Sequence, residues 1–264
     1  MLSWLKRIST PVPAPILVGD PTPTPAGGDI VERLLDRLEA NNRSLDEFTE
    51  PPCQTRVIAV CSQKGGAGKT TIAAHLAVQA AMAGHGPAVL VDTDPQGSLG
   101  EWWHARGDDA LALETMKLDD LAGNLAGLRR RGAALMIIDT PPALTGSIEQ
   151  VMAIADLIVI PARPSPHDLR AISATIDMTR RAAKPYIFVI NGAAPRANIT
   201  AECAAALSEH GRVAPTILYQ RTDYASSMID GRTVMETTPD GRSAREIAEL
   251  WKHVNAQISM RAAA

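Results

Sequence analysis

Lys64-Gly-Gly-Ala-Gly-Lys-Thr-Thr71 is the stretch around which this chain organises itself. Its glycines let backbone N–H groups turn inward around a phosphate oxygen. A helix starting directly after them offers its positive N-terminus to the same anion. An apolar run, Arg56–Cys61, precedes the loop, and Thr70–Gly84 follows with a helical pattern that ends in glycine. In the order strand, glycine loop, helix, such a stretch binds nucleotide phosphates rather than making a surface turn. Gly65, Gly66, Ala67, Gly68, Lys69, Thr70 and Thr71 are therefore the expected ATP-binding residues. Lys69 is expected to reach the β- and γ-phosphates, and the Thr70 hydroxyl to ligate Mg2+. One position departs from an ordinary phosphate loop: Gln63 stands where the first glycine belongs, and a second lysine, Lys64, occupies the front.

Outward from the loop, strands and helices alternate. Pro87–Asp92, Ala134–Asp139, Asp156–Pro161 and Lys184–Ile190 predict strands, with Val213–Tyr219 a sixth. Leu118–Arg131, His167–Ala183 and Ser243–Ser259 predict helices. The strands are continuous apolar runs, which implies burial on both faces. The expected fold is α/β: a mostly parallel, twisted sheet with helices on both faces, of the P-loop NTPase type. Ligands of such sheets sit at the carboxyl ends of the strands.

Two strands end in carboxylates. Val91-Asp-Thr-Asp-Pro-Gln-Gly97 carries Asp92 and Asp94, and Ile137-Ile-Asp-Thr-Pro-Pro142 carries Asp139. An apolar strand ending in aspartate is a Walker B pattern, so Asp139 is expected to hold Mg2+ directly or through water. A carboxylate beside Mg2+ and a γ-phosphate stays ionised and orients water without a raised pKa. No glutamate follows Asp139, so slow hydrolysis that a partner accelerates is expected.

These segments resemble the deviant Walker A ATPases of the ParA/MinD family over about residues 56–258. Val159–Asp168 and Gln220–Gly231 look like the short plasmid-type ParA partition ATPases in particular. The resemblance implies that Lys64 crosses a dimer interface to touch the partner's nucleotide, which makes Lys64, Lys69 and Asp94 the expected catalytic set. Asp94 would position the attacking water, and Asp92 would lie closer to the metal, beside Thr70 and Asp139. Asn191 would read the adenine edge, because an amide both gives and accepts hydrogen bonds. An asparagine before Gly192 serves equally as a strand-terminal turn. The physics of a lysine supplied in trans is that of an arginine finger: it stabilises charge on the transferring group and ties nucleotide state to dimerisation.

ParA-type relatives bind DNA without sequence preference as ATP dimers, and by position Arg196 and Arg221 look like the arginines they use. The expected partners are a second copy of the chain, nonspecific DNA, and a ParB-like or ribbon-helix-helix centromere-binding protein or cargo adaptor. The expected function is segregation of plasmid or chromosomal DNA. The alternatives are positioning of a protein cargo, such as a chemoreceptor cluster or microcompartment, on the nucleoid, and a MinD-like membrane regulator. The tail from Trp251 is weakly apolar and carries little positive charge, so no stable membrane anchor is expected.

Composition divides the chain of 264 residues. Residues 1–54 hold 5 basic and 8 acidic side chains and carry the whole net charge of −3, while residues 55–264 hold 21 of each. Six prolines between Pro11 and Pro25 make the head an extended tether. After it, Ile30, Leu34, Leu35 and Leu38 predict an amphipathic helix over about 29–42, which either packs on the body or docks a partner. The body, 55–264, has the size of one ATPase domain. Cys53, Cys61 and Cys203 are far apart and form no CxxC, which argues against a zinc site or disulfide framework and for a reducing compartment. The first eight residues do not read as a secretory signal, and no stretch is long and apolar enough to span a bilayer. A cytoplasmic, nucleoid-associated protein is expected.

Overall fold

The strand that leads into the glycine loop, β1 (Arg56–Val60), lies inside the sheet between β4 (Leu135–Asp139) and β5 (Leu157–Ala162). Beyond β4 come β2 (Ala88–Asp92) and the edge strand β3 (Ala112–Thr115). Beyond β5 comes β6 (Tyr186–Ala193), which pairs with two short strands, β7 (Arg212–Val213) and β8 (Leu218–Tyr219). The order is β3-β2-β4-β1-β5-β6-β7, with every pairing parallel. This computed structural model describes residues 55–107, 111–142 and 146–262. The acidic head, its expected helix at 29–42 and the division at residue 54 lie outside the described residues.

Helices cover both faces because successive side chains of a strand point to opposite sides. Ile58 and Val60 of β1 face a core built with α1 (Lys69–Met82) and α9 (Arg242–Ala262). Val57 and Ala59 face a second core. There they meet α3 (Leu121–Arg130), α4 (Gly146–Ile154), α5 (Pro166–Arg181) and α6 (Asn198–Ser208). β2, β4 and β5 are buried along their whole length. This is why their sequences are unbroken apolar runs rather than alternating ones.

The expected sheet is present, with two differences. The strand expected over Val213–Tyr219 is two short strands, since Pro215 has no N–H to donate to a ladder. The edge strand β3 was not anticipated: its ALET sequence is half-buried and lacks an apolar run. The helix expected over Leu118–Arg131 opens with a 3-10 turn, Leu118–Asp120, before α3. A helix α2 (Ser98–Arg106) follows the Asp92–Gly97 loop, and α7 (Thr222–Ser227) and α8 (Val234–Thr237) follow β8.

Candidate nucleotide site

Parallel register brings the functional strand ends together. Asp139 lies level with Val60 on one side and with Asp92 on the other. The loop leaving β1 therefore opens directly beside both carboxylates. Gly68 caps α1 with φ +95, a conformation that favours glycine. Ile72 is the first residue there to donate back, to Gly68 O at 2.9 Å. The N–H groups of Lys69, Thr70 and Thr71 thus lie in the first turn, where a helix leaves donors for an outside acceptor.

Lys69 is 7% exposed, and burial lowers its pKa while the charges of Asp139 and Asp94 oppose that shift. The Thr70 hydroxyl donates to Asp139 Oδ2 at 2.6 Å. Asp139 Oδ1 is buried without a partner among the described residues. Burial pushes the Asp139 carboxyl up to about 7, against the opposing effects of the Thr70 bond and Lys69. An orphaned buried carboxylate oxygen beside a hydroxyl is a donor set that fits Mg2+, a hard cation that prefers oxygen. No three His, Cys, Asp or Glu side chains among the described residues form a metal cage. A divalent ion at Thr70 and Asp139 would draw the rest of its shell from phosphate and water.

The two aspartates after β2 divide their work. Asp92, expected near the metal, is fully buried, and both its oxygens accept backbone hydrogen bonds. Oδ1 accepts from Asp94 N and Oδ2 from Gly100 N, each at 3.0 Å. Asp92 therefore holds the loop and the start of α2, level with Asp139 across the β2–β4 pairing. Asp94 is half-buried at the cleft. Its Oδ1 accepts from Gln96 N at 3.0 Å, and Oδ2 has no partner among the described residues.

Asn191 lines the cleft and touches the glycine loop. Its Nδ2 donates to Ala67 O at 2.7 Å, bracing the glycine loop from the end of β6. A Cβ on Gly68 would lie 2.2 Å from that same nitrogen. One amide donor is thus engaged by the loop carbonyl, and no bond to Asn191 Oδ1 is present among the described residues.

Lys64 turns away from the loop. Its Nζ lies 2.8 Å from Asp168 Oδ2 in the first turn of α5. Ser165 caps that helix: its hydroxyl accepts from Asp168 N at 3.1 Å and donates to Asp168 Oδ2. The roles of Asp168 and Ser165 were missed in the sequence, although Ser-x-x-Asp is a helix-start signature.

Arg221 and Arg196, expected together in a DNA patch, have different settings. Arg221 donates from Nη2 and Nε to Glu246 Oε1, at 2.7 and 3.2 Å, and its side chain is 23% exposed. Glu246 also accepts from Tyr219 N and from the Tyr224 hydroxyl, both at 3.1 Å. Arg221 is thus a paired cation and not an open one. Arg196 is exposed on the loop after β6, with φ +63. Neither Glu246 nor this pairing was legible, since 25 residues separate it from Arg221.

A cleft of about 820 Å³ joins these parts. The glycine loop, Lys69, Thr70 and Asp94 lie on one side of it, and Asn191, Tyr219, Arg221 and Tyr224 on the other. A parallel sheet, a glycine loop at its carboxyl edge and a Thr–Asp pair beside a buried lysine define a P-loop nucleotide-binding protein.

Comparison with known proteins narrows the class. Residues 58–234 match the family described as CobQ/CobB/MinD/ParA nucleotide binding domain, and the chain belongs to that family. It is 34% identical over 200 residues to maintenance of carboxysome distribution protein A of Halothiobacillus neapolitanus, covering 72% of this chain and 91% of that one. It is 26% identical over 243 residues to the chromosome-partitioning ATPase Soj of Thermus thermophilus, covering 78% and 97%. The septum site-determining protein MinD of Pyrococcus horikoshii, solved with Mg-ADP, superposes with a TM-score of 0.65 over 76% of this chain and 96% of that one. At 18% identity that likeness shows the shared fold alone.

Proposed function

We propose that this chain is a Mg2+-dependent ATPase whose ATP-bound dimer positions a cargo on nonspecific DNA, with hydrolysis accelerated by a partner. The observation that carries the nucleotide chemistry is the Thr70–Asp139 pair, with its orphaned Oδ1, beside the glycine loop and Lys69. Lys69 balances phosphate charge, Thr70 and Asp139 would hold Mg2+, and Mg2+ would neutralise charge on the phosphate oxygens. Asp94 orients the attacking water through its unengaged oxygen. Lys64 leaves Asp168 on dimerisation and reaches the partner's nucleotide.

For the cargo, similarity to a carboxysome distribution protein over 91% of its length favours a protein assembly. Similarity to a chromosome-partitioning ATPase supports the second reading, plasmid or chromosome segregation through a centromere-binding partner. Under either reading the protein works in the cytoplasm, on the nucleoid. No helix among the described residues is long and apolar enough to cross a membrane. The deciding experiment measures binding of the full chain with Mg2+ and ATP, ADP or no nucleotide, to plasmid DNA and in parallel to anionic liposomes. ATP-dependent DNA retention supports this reading. ATP-dependent liposome binding without DNA retention replaces it with a membrane regulator, and failure to bind ATP removes it.

A further inference from the structure

The cleft contains an arginine, Arg163, whose side chain has no carboxylate partner among the described residues. Arg163 stands on the loop after β5, the strand next to β1, so its loop and the glycine loop leave the sheet side by side. Its side chain is exposed, lines the cleft and makes no hydrogen bond or ion pair among the described residues. The other two basic side chains of the cleft are already balanced. Lys69 lies in the field of Asp139 and Asp94, and Arg221 is paired with Glu246.

The backbone around Arg163 holds it in place. Pro164 restricts the residue before it to extended conformations, and Ser165 N donates to Arg163 O at 2.8 Å. The guanidinium rests over Gly192, where an added Cβ would lie 3.4 Å from Arg163 Nε. Gly192 has φ +67 and sits at the irregularity between Asn191 and Ala193 in the β6–β8 pairing. A Cβ there would meet the arginine at contact distance. Asn191, the next residue, touches the glycine loop through Ala67 O. A continuous row of contacts therefore runs from the loop through Asn191 and Gly192 to Arg163.

We infer that Arg163 is a nucleotide-contacting residue of this cleft, its guanidinium donating to phosphate oxygens of the bound nucleotide. The inference rests on the nucleotide reading above and adds a residue to it. An unpaired guanidinium beside a polyanion site forms charge-assisted, often bidentate hydrogen bonds with phosphate. The backbone that carries the guanidinium is held in place by the Ser165 N–Arg163 O bond.

The test is isothermal titration of the full chain with Mg-ATP, Mg-ADP and Mg-GTP at two salt concentrations, for wild type, Arg163→Gln and Arg163→Lys. Thermal melts check that both variants fold; the exposed, unpartnered side chain predicts unchanged melting. The expected result is about tenfold weaker ATP and ADP binding in Arg163→Gln. The salt dependence should shrink, the ATP-to-GTP ratio should stay constant, and Arg163→Lys should fall between. Unchanged affinity in Arg163→Gln overturns the inference while leaving the nucleotide site standing. A changed ATP-to-GTP ratio overturns it in favour of a base contact. Loss of DNA retention at unchanged ATP affinity overturns it in favour of a DNA contact. If wild type binds no nucleotide, the site reading itself fails.

Discussion

Lys64 Nζ lies 2.8 Å from Asp168 Oδ2, so the front lysine of the glycine loop is held by the first turn of α5 in its own chain. A lysine so held is not available to a second subunit. Lys64→Ala is expected to keep nucleotide binding and to lose ATP-dependent dimerisation, read by light scattering. Asp168→Asn removes the restraint. It is expected to lower the ATP concentration for half-dimerisation by about fivefold, the scale of a partly exposed ion pair. Normal dimerisation by the alanine variant would remove Lys64 from the interface.

Asp94 keeps one oxygen on Gln96 N and leaves the other unengaged at the cleft. Asp94→Ala is expected to lower kcat by about a hundredfold, the ordinary worth of a positioned acid or base, and to prolong the ATP dimer on DNA. Asp94→Asn, which keeps the shape and one acceptor, should retain more activity. Wild-type turnover in Asp94→Ala, measured by phosphate release, would assign water positioning to another group.

Glu246 neutralises Arg221 through a part-buried ion pair. If Arg221 meets DNA, Glu246 competes with the phosphates. Glu246→Gln is expected to raise ATP-dependent DNA retention, and Arg221→Glu to abolish it while sparing dimerisation. Retention should weaken steeply with salt, and Arg221→Ala should flatten the salt slope by about one ion. Undiminished retention in Arg221→Glu would limit Arg221 to the Glu246–Tyr224 cluster.

His75 of α1 is fully buried, with Nδ1 donating to Thr71 O at 2.8 Å and Nε2 accepting from Val234 N at 3.3 Å. Protonation would set an N–H against the Val234 N–H. Burial lowers its pKa from 6.5 to about 4, so the unfolded chain takes the proton first. The stability it contributes is present above pH 6.5 and is lost as pH falls toward 4. The loss reaches about 3 kcal/mol at the lower end. His75→Gln should flatten that part of the melting temperature against pH curve. An identical slope in both proteins would show that other groups carry the acid sensitivity.

The sequence alone determined the sheet, because strands buried on both faces must be unbroken apolar runs and are visible as such. It determined the phosphate loop and the carboxylates at Asp92, Asp94 and Asp139, because glycine at a left-handed turn and aspartate at a strand end are local requirements. It did not reveal β3, whose half-buried edge lacks an apolar run, or the break at Pro215 between β7 and β8. Only the tertiary structure decided which oxygen of each aspartate is engaged. It turned Asp92 into a support for α2, made Asn191 a brace for the loop, paired Lys64 with Asp168 and Arg221 with Glu246, and left Arg163 open. The Asn191, Lys64 and Arg221 contacts join residues 25 to 124 positions apart. Side-chain pairing at such separations is set by how the strand ends and helices pack. No local pattern of residue types encodes it.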